Sequence, residues 1–408
     1  MKRVLAVCVL MLWAAGSSAQ TVSQRGFGEG SAFVFPQQAP NDPTHVVGDL
    51  LAREEVFFKP APWLQFAGGL DVRANSHDQV ECDGLDFSDR TAKRPCLSVR
   101  RLAATLSRRG LTLDVGKQFI RWGKTDIVTP TDRFAPRDFI NVVNNEFLAV
   151  TGARAVLQAG EETFEGVWVP RFTPSRTPLL AQRWTVVPSE VAQIPIVDAG
   201  AVLPDGSQAG VRWSHIGGGF ECALSFFNGF NTLPNVVVDV QTLPTALSSK
   251  RIYPVIITYG ADTAVPTRWF TLKGEAAYLT SSTPGTDEYV VYVIQIERQT
   301  GEWILIGGYA GEVVTTRRAS LTFAPDRALT RAIVGRASYT IDTNRTIAFE
   351  GAVRQNREGL FSKVEYSVGR GEHWRATLTG VVIKGDSSDL LGQYNRNSHL
   401  GVAVRYSF

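Results

Sequence analysis

The sequence predicts an all-β protein, a transmembrane antiparallel β-barrel of about 16 strands (roughly 14–18). Three observations lead there. First, apolar and polar residues alternate with period 2, most clearly at the C-terminus. There Leu400, Val402, Val404, Tyr406 and Phe408 share one face, and His399, Gly401, Ala403, Arg405 and Ser407 share the other. Second, the 408 residues are 44% hydrophobic and 20% charged, and no stretch after the N-terminal segment is long and apolar enough for a membrane helix. The mean hydropathy of -0.04 suits a barrel, in which lipid-facing and lumen-facing residues average out. Third, tight turns and long connections fall on opposite ends of the expected strands.

The chain opens with MKRVLAVCVLMLWAAGSSAQ. Lys2 and Arg3 make a basic start, Val4 to Ala15 is apolar, and Ser17, Ser18 and Ala19 are small. This pattern reads as a signal peptide over 1–19, cut after Ala19. The alternative, an uncleaved anchor, is disfavoured because the run is far shorter than the ~20 residues of a span. Residues 20–61 mix Gly, Pro and short apolar stretches and are expected to form an N-terminal arm or partial plug, with the barrel over 62–408.

The strands then follow in order. The first spans 63–73, with Leu64, Phe66, Leu70 and Val72 on one face and Gln65, Asp71 and Arg73 on the other. Strands over 97–107 and 111–120 meet at Arg108-Arg109-Gly110, and those over 149–159 and 163–171 at Gly160-Glu161. The pair 209–216 and 220–228 turns at Gly217-Gly218-Gly219, and 251–261 and 268–280 turn near Pro266. Strands over 289–299 and 303–314 meet at Thr300-Gly301, and those over 331–341 and 345–354 at Asp342-Thr343-Asn344. Strands over 361–370 and 374–384 meet at Gly371-Glu372, and the terminal strand closes the series.

All these tight turns lie at one end. The long connections 74–96, 121–148, 172–208, 229–250, 315–330 and 385–398 lie at the other, with short ones near Pro284 and Gly359. Closure follows because in hydrocarbon every backbone group needs an internal partner. At about 16 strands the side chains no longer fill the interior, so an aqueous lumen becomes possible.

Several strands have a clear polar face, which includes Asp71, Arg73, Arg101, Asp114, Gln118, Lys273, Glu275, Glu350, Arg354, Lys363, Glu365, Arg375 and Arg405. Charges facing lipid would cost a few kcal/mol, so these point into water. Neither sign dominates. Trp63, Trp303, Trp374, Tyr289, Tyr366 and Tyr406 lie near strand ends and are candidates for an interfacial girdle. The net charge is +3, of which Lys2 and Arg3 leave with the signal peptide; a near-neutral chain argues against a nucleic-acid partner. Cys82 and Cys96 bracket a polar loop and are disulfide candidates, with metal binding the weaker reading. Cys222 reads as a small apolar wall residue.

One stretch stands apart: DVGKQFIRWGKTDIVTPTDRFAPRDF, from Asp114 to Phe139. It leaves a strand and enters a long connection rich in both charge signs. Pro130 and Pro136 prevent regular pairing there. The stretch either narrows the lumen or packs on the rim. Its candidate pore-lining or constriction residues are Asp114, Gln118, Arg121, Lys124, Asp126, Asp132, Arg133 and Arg137, joined by Arg101, Arg354, Arg375 and Arg405 on the walls.

Gly116, Lys117, Gln118, Trp122 and Gly123 match the pattern G-[RK]-Q-x-x-x-[WG]-G. With the terminal strand ending on Phe408, this resembles porin-like Gram-negative outer-membrane β-barrels, in particular alginate-export-type channels and related uncharacterised barrel families. There such a strand end precedes an inward-folding loop. The mixed charge here departs from the basic conduit of alginate exporters. The resemblance implies a cell outer-membrane location, which would make the arm or partial plug at 20–61 periplasmic. It implies contact with the lipid bilayer and lipopolysaccharide, and assembly by the barrel-assembly machinery through the Phe408 strand. It also implies passive diffusion of small hydrophilic solutes, with no cofactor and no turnover.

Two other readings compete: a barrel hydrolase, and a surface adhesin or structural barrel. A hydrolase needs a hydroxyl beside a base. Ser398 and His399, near Asn395 and Asn397, are the nearest approach, but adjacent strand residues face opposite ways. His45, His77, His215, His373 and His399 are scattered, without metal-ligand spacing.

Overall fold

The computed structural model describes residues 21–186, 194–242, 245–318, 321–355, 358–387 and 389–408. Segment 1–19, expected to be a signal peptide, lies outside them. The chain forms one closed antiparallel barrel of 18 strands. The first six are β1 (Thr21–Val34), β2 (Val46–Ala61), β3 (Leu64–Asn75), β4 (Arg94–Arg108), β5 (Leu111–Gln118) and β6 (Val150–Ala159). The next six are β7 (Glu162–Val169), β8 (Gln208–Gly217), β9 (Phe220–Phe230), β10 (Val255–Pro266), β11 (Thr271–Ser281) and β12 (Glu288–Thr300). The last six are β13 (Trp303–Thr316), β14 (Ala332–Asp342), β15 (Arg345–Arg354), β16 (Gly359–Arg370), β17 (Trp374–Gly385) and β18 (His399–Ser407). Each pairs with its neighbour in sequence, and β1 pairs with β18 to close the sheet.

The expected strands from 63 to the C-terminus are all present, so the count of about 16 falls short by the first two. Residues 21–61 do not stand apart as an arm or partial plug: they form β1, β2 and the connection between them. The reason they escaped detection is local. In β1 the middle outward positions are Gly26, Gly28, Gly30 and Ala32, with Val22 and Val34 only at the ends, so most of the lipid face carries no hydrophobic period. In β2 the doublets Leu50-Leu51, Glu54-Glu55 and Phe57-Phe58 put like residues on both faces and cancel the alternation. The strand expected over 251–261 begins at Val255 instead, after Pro254, which has no N–H for a ladder.

The outward positions form the apolar surface; Leu102 is 56% exposed, Ile333 66% and Leu400 57%. Trp63, Trp303, Trp374 and Tyr406 are exposed near strand ends, as a girdle requires. Tyr289 is not among them. It is buried inside, with Arg327 4.4 Å above its ring. Strand β12 is apolar on both faces, which hid its inward set, Tyr289, Val291 and Val293.

Beyond the barrel wall, Val80–Asp86 pairs in parallel with the start of β4. Cys82 and Cys96 are joined by a disulfide there, with Cα atoms 5.1 Å apart. Asn235–Thr242, Thr245–Ile252, Ile196–Val202 and Leu321–Thr322 form a separate small sheet at the loop end.

Candidate functional site: a divided lumen

The segment that follows β5 enters the lumen, and the residues of its motif explain how. Gly116 has φ +123°, and a Cβ there would lie 2.3 Å from the Leu102 carbonyl oxygen across the ladder. Only glycine accommodates both demands. Gln118 donates its amide N–H to the carbonyls of Asp114 and Gly152, both at 3.2 Å, which fixes the strand end. Trp122 sends its indole N–H to Glu165 at 2.8 Å. The Trp122 and Gly123 amides both donate to Asp132 Oδ1, at 2.6 and 2.7 Å, and draw the chain into a compact turn. Gly116→Ala is expected to destabilise the barrel by about 1–3 kcal/mol through backbone strain alone, beyond the clash. The fraction of heat-modifiable refolded protein measures this; a variant that refolds like the wild type would refute it.

The segment then crosses to the wall formed by β9–β12. Glu275 on β11 accepts hydrogen bonds from the amides of Lys124, Thr125 and Thr131 and from the hydroxyls of Thr125 and Thr131, at 2.7–2.9 Å. Asp126 pairs with Lys273 at 3.0 Å and accepts from Gln295. Lys124 pairs with Glu221. Ile120, Trp122, Val128 and Phe134 bury themselves against inward residues of the wall, among them Phe227, Ile256 and Val293.

The chain next returns toward β2–β4. Arg121 and Arg137 each place a guanidinium 4.1 Å from the Phe147 ring centroid. Arg133 lies 3.7 Å from Asp326. Asp138 accepts both arms of Arg94, at 2.9 and 3.0 Å, and pairs with Arg176 at 3.3 Å. Arg176 also reaches Asp89 at 2.8 Å, and Asp89 takes Lys117 at 2.6 Å. These five side chains are buried. Burial raises the Asp138 carboxyl, but Arg94 and Arg176 outweigh it and hold the group well below the carboxylate range.

Glu146 pairs with Arg73 at 2.7 Å, Arg53 at 3.1 Å and Arg100 at 3.6 Å. Burial raises its carboxyl too, but the three arginines win and hold it at about 2. A depressed folded value means this attachment is complete above about pH 4.5 and is lost as pH falls through about 2. Conductance is therefore expected to stay in its neutral-pH state down to about pH 3 and to rise below it. A rise already between pH 6 and 4, read from single-channel records, would refute Glu146 as the holding group.

The remaining expected site residues do not join this cluster. Asp114 faces inward on β5, accepting from Thr105 and lying 3.7 Å from Arg154. Arg101 faces inward on β4. Arg354 sits at the loop end of β15 and pairs with Asp389 at 3.1 Å. Arg405 pairs with Glu29 at 2.7 Å near the turn end, opposite Arg375 in the ladder. Arg176, Asp89, Arg94 and Glu146 were not singled out from sequence. Their pairing is long-range, and only the two-sided charge of the stretch hinted at it.

Two cavities meet the crossing segment. One, of about 330 Å³, meets Arg137, Phe139, Val142, Val143 and Asn145. The other, of about 300 Å³, meets Asp138, Asn141, Asn144 and Glu146. Trp184, from the neighbouring loop, lines both. Residues of the crossing segment thus face both cavities.

No protein-family model matches the chain, and no curated protein does. Solved structures do. The chain is similar to OpdQ of Pseudomonas aeruginosa, with a TM-score of 0.54 and 10% identity over 95% of this chain and 98% of that one. A BenF-like porin from Pseudomonas fluorescens Pf-5 gives a TM-score of 0.56 and 9% identity over 96% and 98%. OccAB4 of Acinetobacter baumannii gives 0.54 and 11% over 94% and 97%. At these identities the likeness lies in the fold, which is that of a porin-like barrel.

Proposed function

We propose that this chain is an outer-membrane channel for the passive diffusion of small hydrophilic solutes. The observation that carries the reading is an edge-free barrel with an apolar exterior, crossed inside by a fixed polar segment. The exterior and the lack of open edges suit a bilayer, with lipid and lipopolysaccharide around the wall. Segment 1–19 directs export, and the strand ending in Phe408 addresses the barrel-assembly machinery. Selection is by size and by the polar groups that line each compartment, with no turnover and no cofactor.

The hydrolase reading draws little support. Ser398 Oγ hydrogen-bonds with the Ile383 backbone, and His399 Nδ1 lies 2.8 Å from the Asn397 carbonyl. The two side chains do not meet as nucleophile and base.

Single-channel recording of the refolded mature protein in a planar bilayer tests the proposal. Stable current steps are expected, with a reversal potential near zero under a salt gradient, because most lumen charges are paired. Deleting 125–137 is expected to raise the conductance. Silence from a correctly folded barrel would overturn the channel reading.

A further inference from the structure

The second cavity differs from the first in how its charges are used. Each charged side chain that lines it already has a partner of opposite sign. Glu29 has Arg405 at 2.7 Å, Glu146 has Arg73 at 2.7 Å, Asp138 has Arg94 at 2.9 Å, and Asp49 has Arg94 at 3.6 Å. Glu365 has Lys363 at 3.2 Å, and Arg183 and His77 share Asp42 at 3.7 and 2.8 Å. In the first cavity, by contrast, Arg137 is held by Asn145 and Thr129, with no carboxylate within 4.0 Å among the described residues.

Paired charges offer a visiting ion little. An anion drawn to one guanidinium meets the neighbouring carboxylate, and a cation meets the reverse. A hydroxyl suffers neither. It donates to a spare carboxylate lone pair and accepts from a spare guanidinium N–H, leaving the ion pair intact. The same cavity carries Ser31, Asn144 and Thr379, whose side chains make no hydrogen bond to another described residue. It also carries the half-buried ring of Phe33, which lies over Gly401, where a Cβ would sit 3.3 Å from the ring, and meets the His399 ring edge-on at 5.8 Å. A flat apolar ring flanked by hydroxyl, amide and paired charges suits a molecule with a C–H face and a rim of hydroxyls.

We propose that the second cavity is a binding site for neutral polyhydroxylated solutes, sugars and sugar alcohols, and passes them ahead of ions of either sign. The proposal rests on the channel reading above.

The test is osmotic swelling of liposomes carrying the full-length mature barrel, in mannitol, sodium gluconate and glycine betaine at equal osmolarity. Mannitol and gluconate match in carbon skeleton and differ in charge. Mannitol is expected to swell the vesicles several times faster than either other solute. Thr379→Val and Asn144→Leu are each expected to slow mannitol about fivefold, the worth of one hydrogen bond, with potassium chloride conductance little changed. Phe33→Ala should act in the same direction; the two polar variants carry the test if it fails to fold. Gluconate or betaine entering as fast as mannitol would overturn the proposal and leave the channel standing, as would variants that slow mannitol and salt alike. No swelling with any solute, from heat-modifiable barrel, would overturn the channel reading itself.

Discussion

Replacing Glu275 by alanine raises the single-channel conductance severalfold and leaves the barrel folded. Glu275 is 3% exposed and takes five hydrogen bonds from the crossing segment, three from backbone amides and two from threonine hydroxyls. Hydrogen bonds to a charged acceptor contribute about 1.5–3 kcal/mol each, so even with strong non-additivity this carboxylate dominates the attachment. Alanine also strands three buried amides, which then seek water and pull the segment off the wall. The strand ladder of β11 is untouched, because only the side chain changes. Glu275→Gln keeps an oxygen acceptor but loses the charge, and an intermediate conductance is expected. The rival account is that Ile120, Trp122 and Phe134 hold the segment by burial alone. It predicts unchanged current steps in both variants, and that result would sink the latch.

Replacing Arg176 by methionine is the second large effect, and it falls on stability. Arg176 bridges Asp89 and Asp138, and all three are buried. Its removal leaves two carboxylates with less compensation in a buried site, for which about 3–5 kcal/mol is the usual cost. Lysine does not restore the bridge, because a point charge cannot span two carboxylates as the planar guanidinium does. The triple variant Asp89→Asn, Asp138→Asn, Arg176→Met removes the stranded charges and is expected to recover part of the loss. Urea titration of the refolded barrel, with protease nicking within 137–147 as a local readout, distinguishes these outcomes. Equal midpoints for the wild type and Arg176→Met would refute the bridge.

Much of the wall was legible because period-2 alternation survives averaging. From β3 to β18 the turns and strand faces follow from residues a few positions apart. What escaped did so for physical reasons. Strand β1 places glycine at its middle outward positions, where lipid-facing strands place Leu or Val, and β2 carries apolar residues on both faces, so pattern reading finds no period there; β12 was legible as a strand, but its two apolar faces hid which one turns inward. The candidate site divides the same way. Asp126, Asp132 and Arg137 stood out because they share one charged stretch. Glu275 was legible as an inward residue but not as the latch, since its partners are about 150 positions away. Arg176 and Asp89 lie 87 positions apart, and nothing local marks them as a pair.

The seam between β1 and β18 has a kinetic consequence. Arg405 bonds Glu29 across 376 residues, while the other wall pairings join strands adjacent in sequence. Hairpins of low sequence separation form first, and the contact of greatest loop-closure cost forms last. Until then the growing sheet exposes two unsatisfied edges at once, both prone to pair with a neighbouring chain. Phe408 exchanges backbone hydrogen bonds with Gly26, both at 3.0 Å, so the final residue completes the seam. Trimming the last few residues therefore acts first on the rate of closure and the yield of monomer, and only afterwards on the finished wall.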